Sequence, residues 1–327
     1  MQYKPLLFGI FCLSLLLTLI IEKSLIPLLS RKAKQPIYQE GPSWHIAKEG
    51  TPTMGGIGFI IPICLILSGL GFYYLNKGFP NIGISIIIIA LYSLLNSMVG
   101  IFDDLVKLWK KTNGGLTPIQ KLILQFLLAV LFLMSRSYYF KDTTTISFVF
   151  GTINQGIFYY PLAIILLLGI INCANLTDGI DGLASWVSLS SMSIILFLYN
   201  KVDVLIVCSS IIGAMLAFLY FNSNPARVFM GDTGSLFLGA LAASLGFSLG
   251  NPTSSVMFGI VYVIEGISVI LQVIIFKLTK KRLFRMAPLH HHLEKCGLSE
   301  NAICVLAIIV TLIFTSLCGF FITGNQL

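Results

Sequence analysis

Charge is scarce in this 327-residue chain: Asp, Glu, Lys and Arg together make up 10% of it. A soluble globular protein carries about 25%. Length alone suggests about two soluble domains. A mean hydropathy of +0.91 and 56% apolar residues override that prior and point to one integral membrane domain over 1–327. The seven cysteines are odd in number and contain no CxxC. Cys12, Cys64, Cys173, Cys208, Cys304 and Cys318 lie in or beside apolar runs, with Cys296 in a polar segment. They read as free thiols, not as a disulfide framework. With 29 Gly and 12 Pro, collagen-like and low-complexity classes are excluded. P-loop, GxSxG and HExxH signatures are absent. The basic residues flank apolar runs and form no separate domain, so nucleic acid is not an expected partner.

Apolar runs, by contrast, are abundant. A spanning helix needs about 20 mostly apolar residues. Ten stretches qualify, at 5–22, 55–75, 81–102, 119–137, 157–174, 183–199, 202–221, 234–250, 255–277 and 301–322. The first lacks a small-residue cleavage site and is followed by Lys23, Arg31, Lys32 and Lys34, so it reads as a retained span. Of the Lys and Arg, only Lys4, Lys77, Arg136, Lys141 and Lys201 fall outside the loops joining odd to even spans. That bias predicts an all-α protein of ten spans, odd-to-even loops in the cytoplasm and both termini outside. Thr143–Phe150, followed by Gly151 and Gly156, predicts a short outer β-hairpin between spans four and five. Tyr159-Tyr160-Pro161 then reads as an interfacial anchor.

Five polar clusters fall on the predicted cytoplasmic side. Asp103-Asp104, with Lys107 one turn on, ends span three. It reads either as an ordinary solvated helix end or as separate holders of a metal and a substrate group, since neighbouring helical residues point about 100° apart. Asn175 to Gly182 places Asp178 and Asp181 at i and i+3, each followed by Gly, before span six. An N-cap or a paired acidic face fits that spacing. Asn175-Leu176-Thr177 also matches a glycosylation sequon, a chance match on the cytoplasmic side. Asn222 to Ser235 is a polar loop in which Asp232 or Thr233 is placed to cap span eight. His290-His291-His292 cannot all face one metal on a helix, and contact with phosphate or sugar hydroxyls suits them better than zinc. Lys48 to Gly56 opens span two. Glu265 lies alone within span nine, either pairing in the bundle or marking a helix break. Spans two, six and eight start on the same side, where free N–H groups suit phosphate. Interleaved carboxylates suit Mg²⁺. Together they imply metal-assisted phosphoryl chemistry at a membrane face.

Five such clusters in this order resemble the polyprenyl-phosphate N-acetylhexosamine-1-phosphate transferases, in particular the phospho-N-acetylmuramoyl-pentapeptide transferase branch. The resemblance rests on Gly50-Thr51-Pro52-Thr53-Met54-Gly55-Gly56, Asp103-Asp104, Asn175–Gly182, Phe229–Ser235 and Pro288–Glu294, and it covers the whole chain. It implies transfer of phospho-MurNAc-pentapeptide from UDP-MurNAc-pentapeptide to undecaprenyl phosphate, giving lipid I and UMP, with Mg²⁺ as cofactor. It also implies a homodimer in the bacterial inner membrane, with its active site facing the cytoplasm. Residue by residue, it makes Asp103, Asp104 and Asp232 catalytic, with Asp232 and Asp104 near the metal and Asp103 orienting or deprotonating the lipid phosphate. Asn175, Asp178, Gly179, Ile180, Asp181, Asn222, Phe229 and Gly231 correspond to the nucleoside pocket and its rim. Lys48, Thr53, Lys107, Lys121 and Gln272 correspond to the cleft, and His290, His291 and His292 to the diphosphate and sugar-peptide end. Direct attack and a covalent aspartyl intermediate are both compatible with these residues. The alternatives are a UDP-GlcNAc-using relative and, further off, a transporter, which would place its polar residues at the midplane.

Overall fold

A computed structural model describes residues 3–33, 48, 50–110, 114–141, 144–148 and 151–324. Lys34, Glu49 and, within the predicted hairpin, Thr143, Val149 and Phe150 lie outside the described residues.

Each of the ten predicted stretches is helical. The helices are α1 (Lys4–Lys32), α2 (Gly56–Asn76), α3 (Pro80–Lys110), α4 (Pro118–Phe140), α5 (Tyr159–Thr177), α6 (Leu183–Leu198), α7 (Val202–Asn222) and α8 (Gly231–Ser248). The ninth stretch is divided at Gly259 into α9 (Ser254–Phe258) and α10 (Ile260–Thr279). A short α11 (Leu289–Lys295) carries the three histidines and α12 (Glu300–Gly324) closes the chain. Strands β1 (Thr145–Phe148) and β2 (Gly151–Asn154) pair antiparallel from Thr145↔Asn154 to Phe148↔Gly151.

Eight of these helices are long and apolar enough to cross a membrane; α6 and α8 are not among them. α6 is apolar but only 16 residues long. α8 opens on the polar Gly231-Asp232-Thr233-Gly234-Ser235 and packs against α3 and α5, while α6 packs against α7 and α12. In α8 every residue from Thr233 to Ser248 is buried. Its small residues permit close helix approach: a Cβ on Gly56 of α2 would lie 2.5 Å from the Gly234 backbone.

Two helices run well past their predicted ends: the apolar run stops, but backbone hydrogen bonding continues, in α1 even through Pro27. α1 continues to Lys32, which buries Glu22 against Gly58. α3 continues to Lys110. Asp103 and Asp104 therefore do not end a helix in solvent: they lie inside α3 and are 1% and 3% exposed. Gly100, one turn earlier, brings the α3 backbone against α8, where an added Cβ would lie 2.2 Å from the Asp232 carbonyl oxygen.

Candidate active site

The contact between α3 and the start of α8 positions the chemistry. α8 begins at Gly231, whose φ of +69° turns the chain into the helix. No residue of its own caps that helix. The cap comes from α3: Asp104 Oδ2 accepts Thr233 N (2.9 Å) and Thr233 Oγ1 (2.8 Å), and Asp104 Oδ1 accepts Asp232 N (3.3 Å). A carboxylate is favourable at a helix N-terminus, where free N–H groups and the dipole converge. One reading of the sequence is a Pro-induced break after which Asp232 or Thr233 caps this helix. The structure gives the capping role to Asp104, and this leaves Asp232 free to face the lysines.

Two lysines bind the acids together. Lys107 Nζ lies 2.7 Å from Asp103 Oδ2, 3.1 Å from Asp232 Oδ1 and 3.6 Å from Asp104 Oδ1. Lys121 Nζ lies 3.1 Å from Asp103 Oδ1 and also bonds Asp232 Oδ2. Lys121 sits in the first turn of α4, whose start is fixed by a reciprocal capping box between Thr117 and Gln120. Asn175 at the end of α5 donates to Asp232 Oδ1 (3.0 Å) and Ser235 Oγ (2.9 Å). Asp103 is covered by the segment before α4, with Leu116 N donating to its Oδ1 at 2.8 Å. Asp103 Oδ2 is buried without a hydrogen bond, and its partner is the charge of Lys107.

Asp103, Asp104 and Asp232 offer one oxygen each within 4.8 Å of one another. An all-oxygen carboxylate set of this kind fits a hard divalent cation such as Mg²⁺. Three carboxylates against two ammonium groups leave one negative charge. A divalent cation would turn that into one positive charge, which suits an anionic diphosphate. Thr53 adjoins this centre: a Cβ on Gly231 would lie 2.6 Å from Asp104 Oδ2 and 2.8 Å from Thr53 Oγ1.

The second half of the site is the turn between α5 and α6. Here Asp178 and Asp181 do not share a helical face, because residues 178–182 form a turn and not a helix. Burial pushes the Asp178 carboxyl well above its usual range, with the charges of Asp232, Asp104 and Asp181 adding to the shift. Asp181 accepts Lys48 Nζ (2.7 Å), Asn224 Nδ2 (3.2 Å) and Ala226 N (2.9 Å). Burial works to lower the Lys48 pKa, but hydrogen bonds and charge from Asp181 and Glu300 outweigh it and the net shift is upward. Ile180 is buried in the core. Asn222 faces inward, accepting Ser185 Oγ (2.9 Å) and donating to Val228 O (3.0 Å), so it shapes the α7–α8 loop. Phe229 is half-buried in that loop, its N–H bonded to Pro52 O at 2.8 Å.

The three histidines point to three different places. His290 is fully buried and its Nε2 presses on Gly179. Glu265 accepts the His290 backbone N–H (3.2 Å), and its Oε2 lies 3.2 Å from the ring Nδ1. Glu265 thus pairs within the bundle. His291 Nδ1 meets Glu294 Oε2 at 2.6 Å. His292 Nδ1 accepts Arg285 N at 3.1 Å. Gln272 accepts Phe284 N (2.8 Å) and lines a cavity of ≈ 330 Å³ with Val269, Phe276 and Arg282. Its contacts belong to that groove and not to the aspartate cluster. Sequence reasoning missed Glu300, which binds Lys48; its only signal was an acid opening the last apolar run.

Residues 86–250 match the family described as Glycosyl transferase family 4. The chain is 43% identical over 307 residues to the phospho-N-acetylmuramoyl-pentapeptide-transferase of Clostridium perfringens (strain SM101 / Type A), covering 92% of each. It is 39% identical over 296 residues to that of Enterococcus hirae, covering 89% of this chain and 90% of the relative. Against that of Lacticaseibacillus paracasei the identity is 44% over 273 residues, with 83% and 84% covered. The family match spans α3 to α8, and so includes all three aspartates of the cluster.

Proposed function

The chain belongs to the phospho-N-acetylmuramoyl-pentapeptide transferases of glycosyl transferase family 4, and from that premise we propose how its residues carry out the transfer. The donor is UDP-MurNAc-pentapeptide and the acceptor is undecaprenyl phosphate. An oxygen of the lipid phosphate attacks the β-phosphorus of the donor. A new P–O–P bond forms, the bond from that phosphorus to the bridging oxygen breaks, and UMP leaves with the bridging oxygen. The product is lipid I.

The observation that carries this reading is the five-residue charge cluster of Asp103, Asp104, Asp232, Lys107 and Lys121 at the start of α8. Two anions must meet for the reaction to occur, and preorganised cations lower that barrier. Lys107 and Lys121 turn from the carboxylates to the donor phosphates. Mg²⁺, held by Asp232 with Asp104 and Asp103 beside it, would supply charge neutralisation at the diphosphate. Asp104 keeps the α8 entry rigid, and so fixes where Asp232 points. The Leu116 N–H holds Asp103 Oδ1, so the oxygen that would accept a proton from the lipid phosphate is Oδ2, which carries no hydrogen bond and is released once Lys107 turns to the donor. Asn175, Asp178, Gly179 and Phe229 form the nucleoside side of the pocket, with Phe229 stacking on uracil. Asp181 and Asn222 brace it from behind. His290 adjoins it at Gly179, while His291, His292 and Gln272 border the sugar-peptide and lipid side.

The protein works as a homodimer in the bacterial inner membrane. Ten spans cross it, α9 and α10 together making the ninth and α6 and α8 lying inside the bundle, with both termini and the β1–β2 hairpin outside and the charge cluster facing the cytoplasm. The Lys and Arg bias supports this orientation. In a cysteine-depleted background, cysteines at positions 77 and 110 are expected to label from opposite sides, and labelling from one side would defeat it. The reaction itself is tested with purified protein and both substrates. UMP release that stops on chelation and returns with Mg²⁺ is expected, and release indifferent to Mg²⁺ would remove the metal from the account.

A further inference from the structure

The turn between α5 and α6 is tied down by an acid that the transfer chemistry does not call on. Glu300 stands in the first turn of α12, and its side chain is 12% exposed. Its carboxylate takes Lys48 Nζ (2.6 Å to Oε1, 2.8 Å to Oε2) and the backbone N–H of Asp181 (2.9 Å to Oε2). Asp181 completes the group, holding the same Lys48 ammonium at 2.7 Å and the α7–α8 loop through Asn224 and Ala226. Cys304, one turn further along α12, donates Sγ–H to the Asp181 carbonyl at 3.5 Å. Four separate parts of the chain therefore converge on two carboxylates that share one ammonium.

Neutralising Lys48 does not need Glu300, because Asp181 alone balances that charge. What Glu300 adds is direction. It pulls Lys48 toward α12 and satisfies a backbone N–H in a turn that no helix supports. A buried donor left without its acceptor is costly, and charge-assisted hydrogen bonds are among the strongest a protein makes. Without Glu300, the Asp181 N–H is orphaned and Lys48 is held by Asp181 alone. The turn it anchors also carries Asp178 and Gly179, the latter in contact with His290.

We infer that Glu300 is a positioning residue for the nucleotide-sugar pocket. It sets Lys48 and the Asp178–Gly182 turn in the arrangement that receives an anionic nucleoside diphosphate, and does not itself touch the ligand. This rests on the transfer reaction proposed above. The test is steady-state UMP release by the purified full-length chain, with UDP-MurNAc-pentapeptide and undecaprenyl phosphate varied in turn, for wild type, Glu300→Gln, Lys48→Met and the double variant. Glu300→Gln keeps an oxygen that can accept the Asp181 N–H but removes the charge that pairs with Lys48, and is expected to raise the donor KM about tenfold. Its kcat and its KM for the lipid phosphate should stay within about threefold of wild type, the pattern of lost uniform binding. Because Glu300 acts through Lys48, the double variant should have a donor KM within about threefold of Lys48→Met alone. An unchanged donor KM in Glu300→Gln, or effects that multiply in the double variant, would overturn the inference. If Glu300→Gln does not fold, Glu300→Asp goes through the same assay. It keeps the charge and shortens the reach, so a smaller rise in donor KM is expected and no rise overturns the inference. Failure of the wild type to release UMP would defeat the transfer reading, whereas wild-type release with an unaltered variant defeats only the role of Glu300.

Discussion

Replacing Gly231 by Ala tests whether the α8 entry aims the catalytic acid. Two costs add at this position. The backbone φ is +69°, a conformation that costs an L-residue about 1–2 kcal/mol. The new Cβ would also lie 2.6 Å from Asp104 Oδ2 and 2.8 Å from Thr53 Oγ1, both inside ordinary van der Waals contact. Each oxygen must retreat by several tenths of an ångström. Asp104 Oδ2 is the atom that accepts Thr233 N and Thr233 Oγ1 at 2.9 and 2.8 Å, so its retreat loosens the cap and lets the first turn of α8 shift with Asp232 on it. A misplacement of about 1 Å at a reacting centre costs about 100-fold in rate. Gly231→Ala is therefore expected to lower kcat for UMP release by roughly that factor at saturating substrates. Gly69→Ala is the control, since nothing lies within 4 Å of its added Cβ and its helix position is exposed. Turnover of Gly231→Ala within about threefold of wild type would refute the reasoning, because a displaced cap could not then matter to the chemistry.

Two further outcomes follow from the same geometry. Asp232→Asn keeps the shape of the side chain but removes a charge from the metal-binding set, so turnover should fall at least about 100-fold and the Mg²⁺ concentration needed for half-activity should rise; wild-type turnover and Mg²⁺ dependence would contradict the assignment. The Asp178 carboxyl is raised by burial and by the neighbouring carboxylates, so the folded protein binds this proton more tightly than the unfolded chain does and stability should decline as pH rises above the ordinary carboxyl range. Asp178→Asn imitates the neutral acid and should flatten that decline in thermal unfolding followed from about pH 5 to 8, and parallel curves for the two proteins would exclude the effect.

The helical architecture was legible because a spanning helix is coded by length and apolar content alone. All ten stretches proved helical, even α6, which is apolar but short, and α8, which opens on a polar turn. What the sequence hid was where helices stop. Apolar content marks the edge of the bilayer, not the end of hydrogen bonding, so Asp103 and Asp104 read as a helix end when α3 in fact runs on to Lys110. The site was legible as a set of segments and not as a set of contacts. Asp103, Asp104, Lys107, Lys121, Asn175 and Asp232 do converge. That Asp104 serves the backbone of α8 while Asp232 faces the lysines depends on the approach of two helices, which no local spacing records. Glu300 carried no motif at all, since its partners lie 119 and 252 positions away. The consecutive histidines suggested one shared task, yet a single helical turn sends them to Glu265, Glu294 and the 285 loop.

The central claim is that this cluster transfers a phosphosugar from one particular nucleotide donor to a lipid phosphate. Purified protein offered undecaprenyl phosphate and Mg²⁺ should release UMP and form a lipid-linked diphospho-sugar from UDP-MurNAc-pentapeptide, and do neither with UDP-GlcNAc. Equal or faster turnover of UDP-GlcNAc, or no UMP from either donor, would contradict it.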